Sequence, residues 1–194
     1  VHVEYDEATA LLVGDGLQTL AFELLSGELG IGGKAQLAML HALAQASGSH
    51  GMVGGQAIDL ASVGQALLLP ELEQMHIRKT GALIRAAITL GRLCGNTLSD
   101  EHSAKLDHFA KCIGLAFQVV DDVLDAEASS ATLGKTAGKD AANDKPTYVS
   151  LMGLKQAKQL AQELEADALA SLAIFGDKAQ RLSQLAQFIV SRSF

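Results

Sequence analysis

The chain has 194 residues, enough for one domain with a sizeable core. Its formal charge is −7 and its pI is near 5.3, with lysines and arginines scattered along the chain; this argues against a nucleic-acid-binding surface. Hydrophobic residues make up 48% but aromatics only 4%, with no Trp and two prolines, a balance that predicts packed helices rather than sheets.

Cys94 and Cys112 form no C-x-x-C pair and no metal-ligand spacing. With no signal peptide in view, they fit a reducing, cytoplasmic compartment. No apolar run is expected to reach the length of a membrane span, because Arg85 and Arg92 interrupt the best candidate. A start at Val1 rather than Met reads as a fragment or a processed form.

In chain order, residues 6–26 read as a helix with Asp6 as N-cap and Leu11, Leu12, Phe22 and Leu25 at helical spacing. Gly27, Gly30, Gly32 and Gly33 break it, and residues 35–48 form a second helix. Gly51, Gly54 and Gly55 would weaken a free helix by up to ~1 kcal/mol each relative to Ala. They are tolerable where a neighbouring helix or a ligand comes close. Pro70 suits a first helical turn, and residues 71–93 are periodic, with Arg78-Lys79-Thr80-Gly81 inside. Residues 103–126 form the next helix, its apolar stripe supplied by Phe109, Ile113, Phe117, Val120 and Leu124. Residues 127–146 read as a long polar loop, of the kind that is a functional lid or disordered. Residues 147–175 return to an amphipathic helix, Gly176 ends it, and a last helix runs to about residue 190.

The stretch Phe117-Gln118-Val119-Val120-Asp121-Asp122-Val123-Leu124-Asp125 carries the chemistry. Asp121 and Asp125 share one helical face, Asp122 lies beside them, and Gly114 and Gln118 continue the stripe. Like charges this close repel unless a cation or a proton compensates them. Hard oxygen ligands with no nearby Cys or His favour Mg²⁺ over zinc, and Mg²⁺ is commonly held by carboxylates together with substrate phosphates. A solvated helix face is the bland alternative. It is disfavoured because apolar residues surround the triplet and buried carboxylates need partners.

Lys135, Lys139 and Lys145 follow directly and read either as surface lysines or as a charged lid over a diphosphate. Lys79-Thr80 reads equally well as a snorkelling pair and as part of a site. Gln56 and Asp59 beside the paired glycines read as packing plus a cap, and Asp15 as a structural hydrogen-bonding residue. His41, His50, His76, His102 and His108 show no ligand spacing, and the glycines lack the strand-to-helix context of a nucleotide-binding loop.

Taken together, several segments resemble the trans-prenyltransferases, the farnesyl/geranylgeranyl diphosphate synthase family, in its bacterial farnesyl type. They are Gly14-Asp15-Gly16-Leu17-Gln18-Thr19, Gly55-Gln56 with Asp59-Leu60, Lys79-Thr80-Gly81, Phe117-Gln118-x-x-Asp121-Asp122-x-x-Asp125, Gly134-Lys135, Gly138-Lys139-Asp140 and Lys145-Pro146-Thr147-Tyr148. Order and spacing agree over essentially the whole chain. One departure stands out: the family's first aspartate-rich motif, its paired arginines and an R-G-x-P loop precede the segment beginning at Val1. The chain thus resembles the C-terminal two thirds of such an enzyme. A protein really starting there is expected to be inactive.

The resemblance implies an all-α isoprenoid-synthase helical bundle around a central cavity, here a single domain over residues 1–194. It implies Mg²⁺-dependent head-to-tail condensation of isopentenyl diphosphate with an allylic diphosphate, with Mn²⁺ as a substitute metal. Carried over residue by residue, Asp121, Asp122 and Asp125 hold the metal. Lys79, Lys135 and Lys145 contact the allylic diphosphate, with Lys139 a weaker lid candidate and Arg192 approaching on closure. Thr80 and Gln118 line the cation region. A homodimer is expected, with no nucleic acid and no membrane span. The competing readings are a geranylgeranyl or longer-chain synthase, a terpene cyclase on the same fold, and a non-catalytic partner subunit, which would tend to lose its aspartates.

Overall fold

The structure, a computed structural model, describes residues 1–133 and 146–192. Among the described residues there is no strand, as the composition predicts. Helix α1 spans Glu7–Ser26, α2 Gly33–Ser47, α3 Met52–Ala61 and α4 Leu69–His76. A π-turn over Ile77–Gly81 leads into α5, Ala82–Cys94. Helix α6 runs Asp100–Leu133, α7 Tyr148–Met152 and α8 Leu154–Leu172; a 3₁₀ segment, Ala173–Ala179, joins α8 to α9, Gln180–Ser191.

The local rules hold at the helix starts. Asp6 accepts the N–H of Thr9 at 2.6 Å, closing the first turn of α1. Pro70 stands in the first turn of α4, where Glu71 accepts the N–H of Leu68 at 2.7 Å. Thr147 Oγ1 accepts the N–H of Ser150 at 3.0 Å and starts α7.

Three boundaries differ from the sequence reading. The helix expected over 71–93 is interrupted by the π-turn, whose extra residue per turn periodicity does not reveal. The aspartate helix is longer than 103–126. Ser99 Oγ accepts the N–H of His102 and starts it earlier, and the good helix formers Ala126, Ala128 and Ala131 carry it to Leu133 despite the serines between them. The single helix expected over 147–175 is cut at Gly153, whose φ of 86° is left-handed and ends a helical run.

Helix α6 is the central element and feeds two adjoining cores. Val119, Val120 and Val123 pack with Leu72, Met75, Tyr148, Ala157 and Ala161. Phe109, Cys112 and Ile113 pack with Ala168, Leu172, Ala179, Ala186 and Ile189. Alanines 157, 161 and 168 give α8 a smooth stripe that lies close along α6. Helix α1 contributes nothing to these cores: Leu11, Leu12 and Leu17 are all more than 60% exposed.

That helix also corrects two expectations. Its 20 residues and mean hydropathy of 1.2 make it long and apolar enough to cross a membrane by length and composition alone. The interrupted segment around Arg85 and Arg92 was therefore not the best candidate. Asp15 and Glu23 lie on α1, and α1 packs against α2. The carboxylate of Asp15 is exposed and makes none of the described hydrogen bonds; the residue's backbone carbonyl accepts Thr19 Oγ1 at 2.9 Å instead.

Candidate active site

The site begins with two glycine contacts. A Cβ on Gly55 would lie 2.2 Å from the backbone N of Lys79, so α3 touches the π-turn backbone to backbone. A Cβ on Gly114 would lie 3.0 Å from the Cα of Gly81, so α6 crosses the other side of the same turn. Lys79 and Thr80 are thereby held between α3 and α6. Gln118 and Asp121 follow Gly114 at one and about two turns along the α6 stripe. The close approach anticipated for the paired glycines is met by a neighbouring backbone.

Lys79 donates to Asp59 at 2.7 Å. Asp59 is only 6% exposed, so its charge has been taken out of water and needs this partner. It is more than packing and a helix cap. The available signal was its position four residues after Gly55, which puts both on one face of α3.

On α6 the three aspartates occupy different environments. Asp121 pairs with the Arg192 guanidinium and accepts from Gln118 Nε2 at 3.2 Å. Arg192 also donates to the Phe117 carbonyl at 3.3 Å and lies 4.1 Å over the Phe117 ring. Burial pushes the Asp121 carboxyl above the usual range, against the pull of Arg192. Asp122 accepts the backbone N–H of Tyr148 at 2.7 Å. Burial pushes it up to about 6, with the charges of Asp125 and Asp121 adding to the effect and the Tyr148 N–H opposing it. Asp125 is exposed.

Among the described residues no three His, Cys, Asp or Glu side chains converge in one metal-binding group. The donor chemistry nonetheless fits a hard cation: Asp121, Asp122 and Asp125 are all-oxygen ligands, and the first two are raised by burial and by neighbouring carboxylates, a penalty that a bound cation relieves. Lys135, Lys139 and Lys145 lie outside the described residues.

Sequence reasoning did not bring His76 and Tyr148 together. Their rings stack with centroids 5.6 Å apart, joining the end of α4 to the start of α7. Both ring nitrogens of His76 and the Tyr148 hydroxyl are buried, and none of them makes a hydrogen bond of good geometry among the described residues. Burial holds the His76 imidazole below its ordinary 6.5, with the Gln118 side chain beside it pulling the other way.

Known proteins resemble this chain in sequence and fold. A Bradyrhizobium diazoefficiens protein described as a probable farnesyl diphosphate synthase is 48% identical over 190 residues, covering 96% of this chain and 57% of that protein. Farnesyl diphosphate synthase of Escherichia coli is 44% identical over 197 residues, covering 99% and 66%. A Helicobacter pylori geranyltransferase structure, described as complexed with magnesium and isoprenyl diphosphate, superposes with a TM-score of 0.76 at 34% identity, covering 98% of this chain and 61% of that one. The chain thus spans between about half and two thirds of the length of these relatives. Residues 1–179, which include the π-turn and the aspartate helix, match the Polyprenyl synthetase family model, and the chain belongs to that family.

Proposed function

We propose that the full-length protein is a short-chain prenyl diphosphate synthase of the farnesyl type. It would condense isopentenyl diphosphate head-to-tail with an allylic diphosphate. The observation that carries this reading is the meeting of the π-turn, with Lys79 and Thr80, and the Gln118–Asp121 stripe of α6 at the Gly81–Gly114 contact.

In this reading Asp121, Asp122 and Asp125 hold Mg²⁺, which when bound neutralises charge on the departing diphosphate. Lys79, together with Lys135 and Lys145, binds and orients the allylic diphosphate. The Thr80 hydroxyl and the Gln118 amide present oxygen dipoles to the developing allylic cation. The apolar walls of the bundle exclude the water that would quench that cation. Arg192, already on Asp121, is a guanidinium available to substrate phosphates at the same edge of the site. The tertiary cation formed when isopentenyl diphosphate attacks would lose a proton to the departed diphosphate, which gives the new alkene of the product. A homodimer in the cytoplasm fits the family.

The test is prenyl transfer by the full-length protein from labelled isopentenyl diphosphate onto dimethylallyl and geranyl diphosphates. Chain elongation that stops at fifteen carbons and vanishes with EDTA is expected. A product of twenty carbons or more would replace the farnesyl assignment, and no metal-dependent transfer would overturn the synthase reading.

A further inference from the structure

Gly55 and Asp59 lie four residues apart on one face of α3 and meet Lys79 at two points. Gly55 abuts the Lys79 backbone, where a Cβ would lie 2.2 Å from its N and 2.6 Å from its Cα. Asp59, 6% exposed, accepts from the Lys79 ammonium at 2.7 Å. The backbone contact sets how far α3 stands from the π-turn, and the carboxylate then sets where the ammonium rests. An unpaired lysine side chain samples many rotamers, and ordering it costs entropy when a ligand arrives. Here the Lys79 side chain is about one third exposed and its ammonium has spent one of three donors on Asp59. Among the described hydrogen bonds the other two remain for an anion.

We propose that Asp59 is a positioning residue that pre-places the Lys79 ammonium for the substrate diphosphate. The proposal rests on the prenyl-transfer reading of the site. It differs from a purely structural ion pair in one respect. A purely structural pair predicts that Asp59→Asn lowers the thermal midpoint and leaves kcat unchanged at temperatures where the variant is fully folded. A positioning role predicts that kcat falls in the fully folded variant and that this loss disappears once Lys79 is absent.

The experiment compares Asp59→Asn, Asp59→Glu, Lys79→Met and the Asp59→Asn/Lys79→Met double variant of the full-length protein. The readouts are kcat, thermal midpoint and calorimetric binding of inorganic diphosphate. Asp59→Asn is expected to lower kcat on the order of ten- to a hundredfold, the scale of a misplaced catalytic contact. Diphosphate should still bind Asp59→Asn at full stoichiometry, because losing a carboxylate removes repulsion of the anion. Asp59→Glu should recover part of the rate. In the Lys79→Met background Asp59→Asn should cost nothing further. Unchanged kcat in Asp59→Asn, the same fold-loss in the Lys79→Met background, or a double variant with the parental rate would each overturn the positioning role. If Lys79→Met alone leaves both kcat and diphosphate affinity unchanged, Lys79 is not a diphosphate ligand, and the underlying reading falls with the proposal.

Discussion

The carboxylate of Asp122 accepts the backbone N–H of Tyr148 at 2.7 Å, tying the middle of α6 to the first residue of α7 across 26 positions of sequence. Tyr148 is fully buried, so this N–H has no water to fall back on. Asp122→Ala is therefore expected to destabilise the fold by about 1–3 kcal/mol, the cost of an orphaned buried donor. Asp122→Asn, which keeps an acceptor oxygen, should cost less. Urea unfolding of the two variants checks this; equal midpoints would remove Asp122 from the structural account.

Asp121 is expected to behave in the opposite way. Its partners are side chains, Arg192 and Gln118, and no backbone group depends on it among the described hydrogen bonds. If the full-length protein is the proposed Mg²⁺-dependent synthase, Asp121→Ala should leave the unfolding midpoint near the parental value while lowering kcat strongly and raising the Mg²⁺ concentration needed for half-maximal rate. A near-normal rate in saturating Mg²⁺ would sink its assignment as a metal ligand.

Two glycine substitutions separate close approach from helix propensity. Gly55→Ala drives a methyl into the Lys79 backbone and should destabilise by roughly 1–3 kcal/mol, as overpacking does. Gly91→Ala, inside α5 with nothing within 4 Å of the added Cβ, should stabilise by about 0.5–1 kcal/mol. Thermal midpoints moving in the same direction would contradict the helix contact at Gly55.

The buried His76 makes stability depend on pH. Its folded-state pKa lies below its ordinary 6.5 because burial penalises the imidazolium. Above 6.5 the ring is neutral whether the chain is folded or unfolded, and stability is fully present. As pH falls below 6.5 the unfolded state binds the proton first, so this stability is lost as pH drops through the folded-state value. His76→Phe, which keeps a ring against Tyr148, should flatten the pH dependence of the unfolding midpoint in that acid range. An unchanged slope would show that other groups set it.

Six helices and most of their outer ends follow from local rules, because an Asp before an apolar run and a Pro in a first turn act within a few residues; α3, Met52–Ala61, and the break at Gly153 were not read from the sequence. The π-turn was not legible: residues 71–93 are periodic enough for one helix, and the insertion is stabilised by α3 and α6 on either side. The aspartate stripe was legible from spacing alone, since a 3.6-residue period fixes which side chains share a face. The unequal environments of its members were not. Asp121 meets a residue 71 positions away and Asp122 one 26 away, and no local pattern encodes contacts across such separations. By itself, then, the sequence determined an all-α chain of the polyprenyl synthetase family with an acidic stripe on a central helix, because helical period and propensity are local. Only the tertiary structure decided that Asp59 holds Lys79, that Tyr148 holds Asp122 and that Arg192 sits on Asp121, because burial removes water as a partner and each buried charge or backbone group then takes whatever the packing brings beside it.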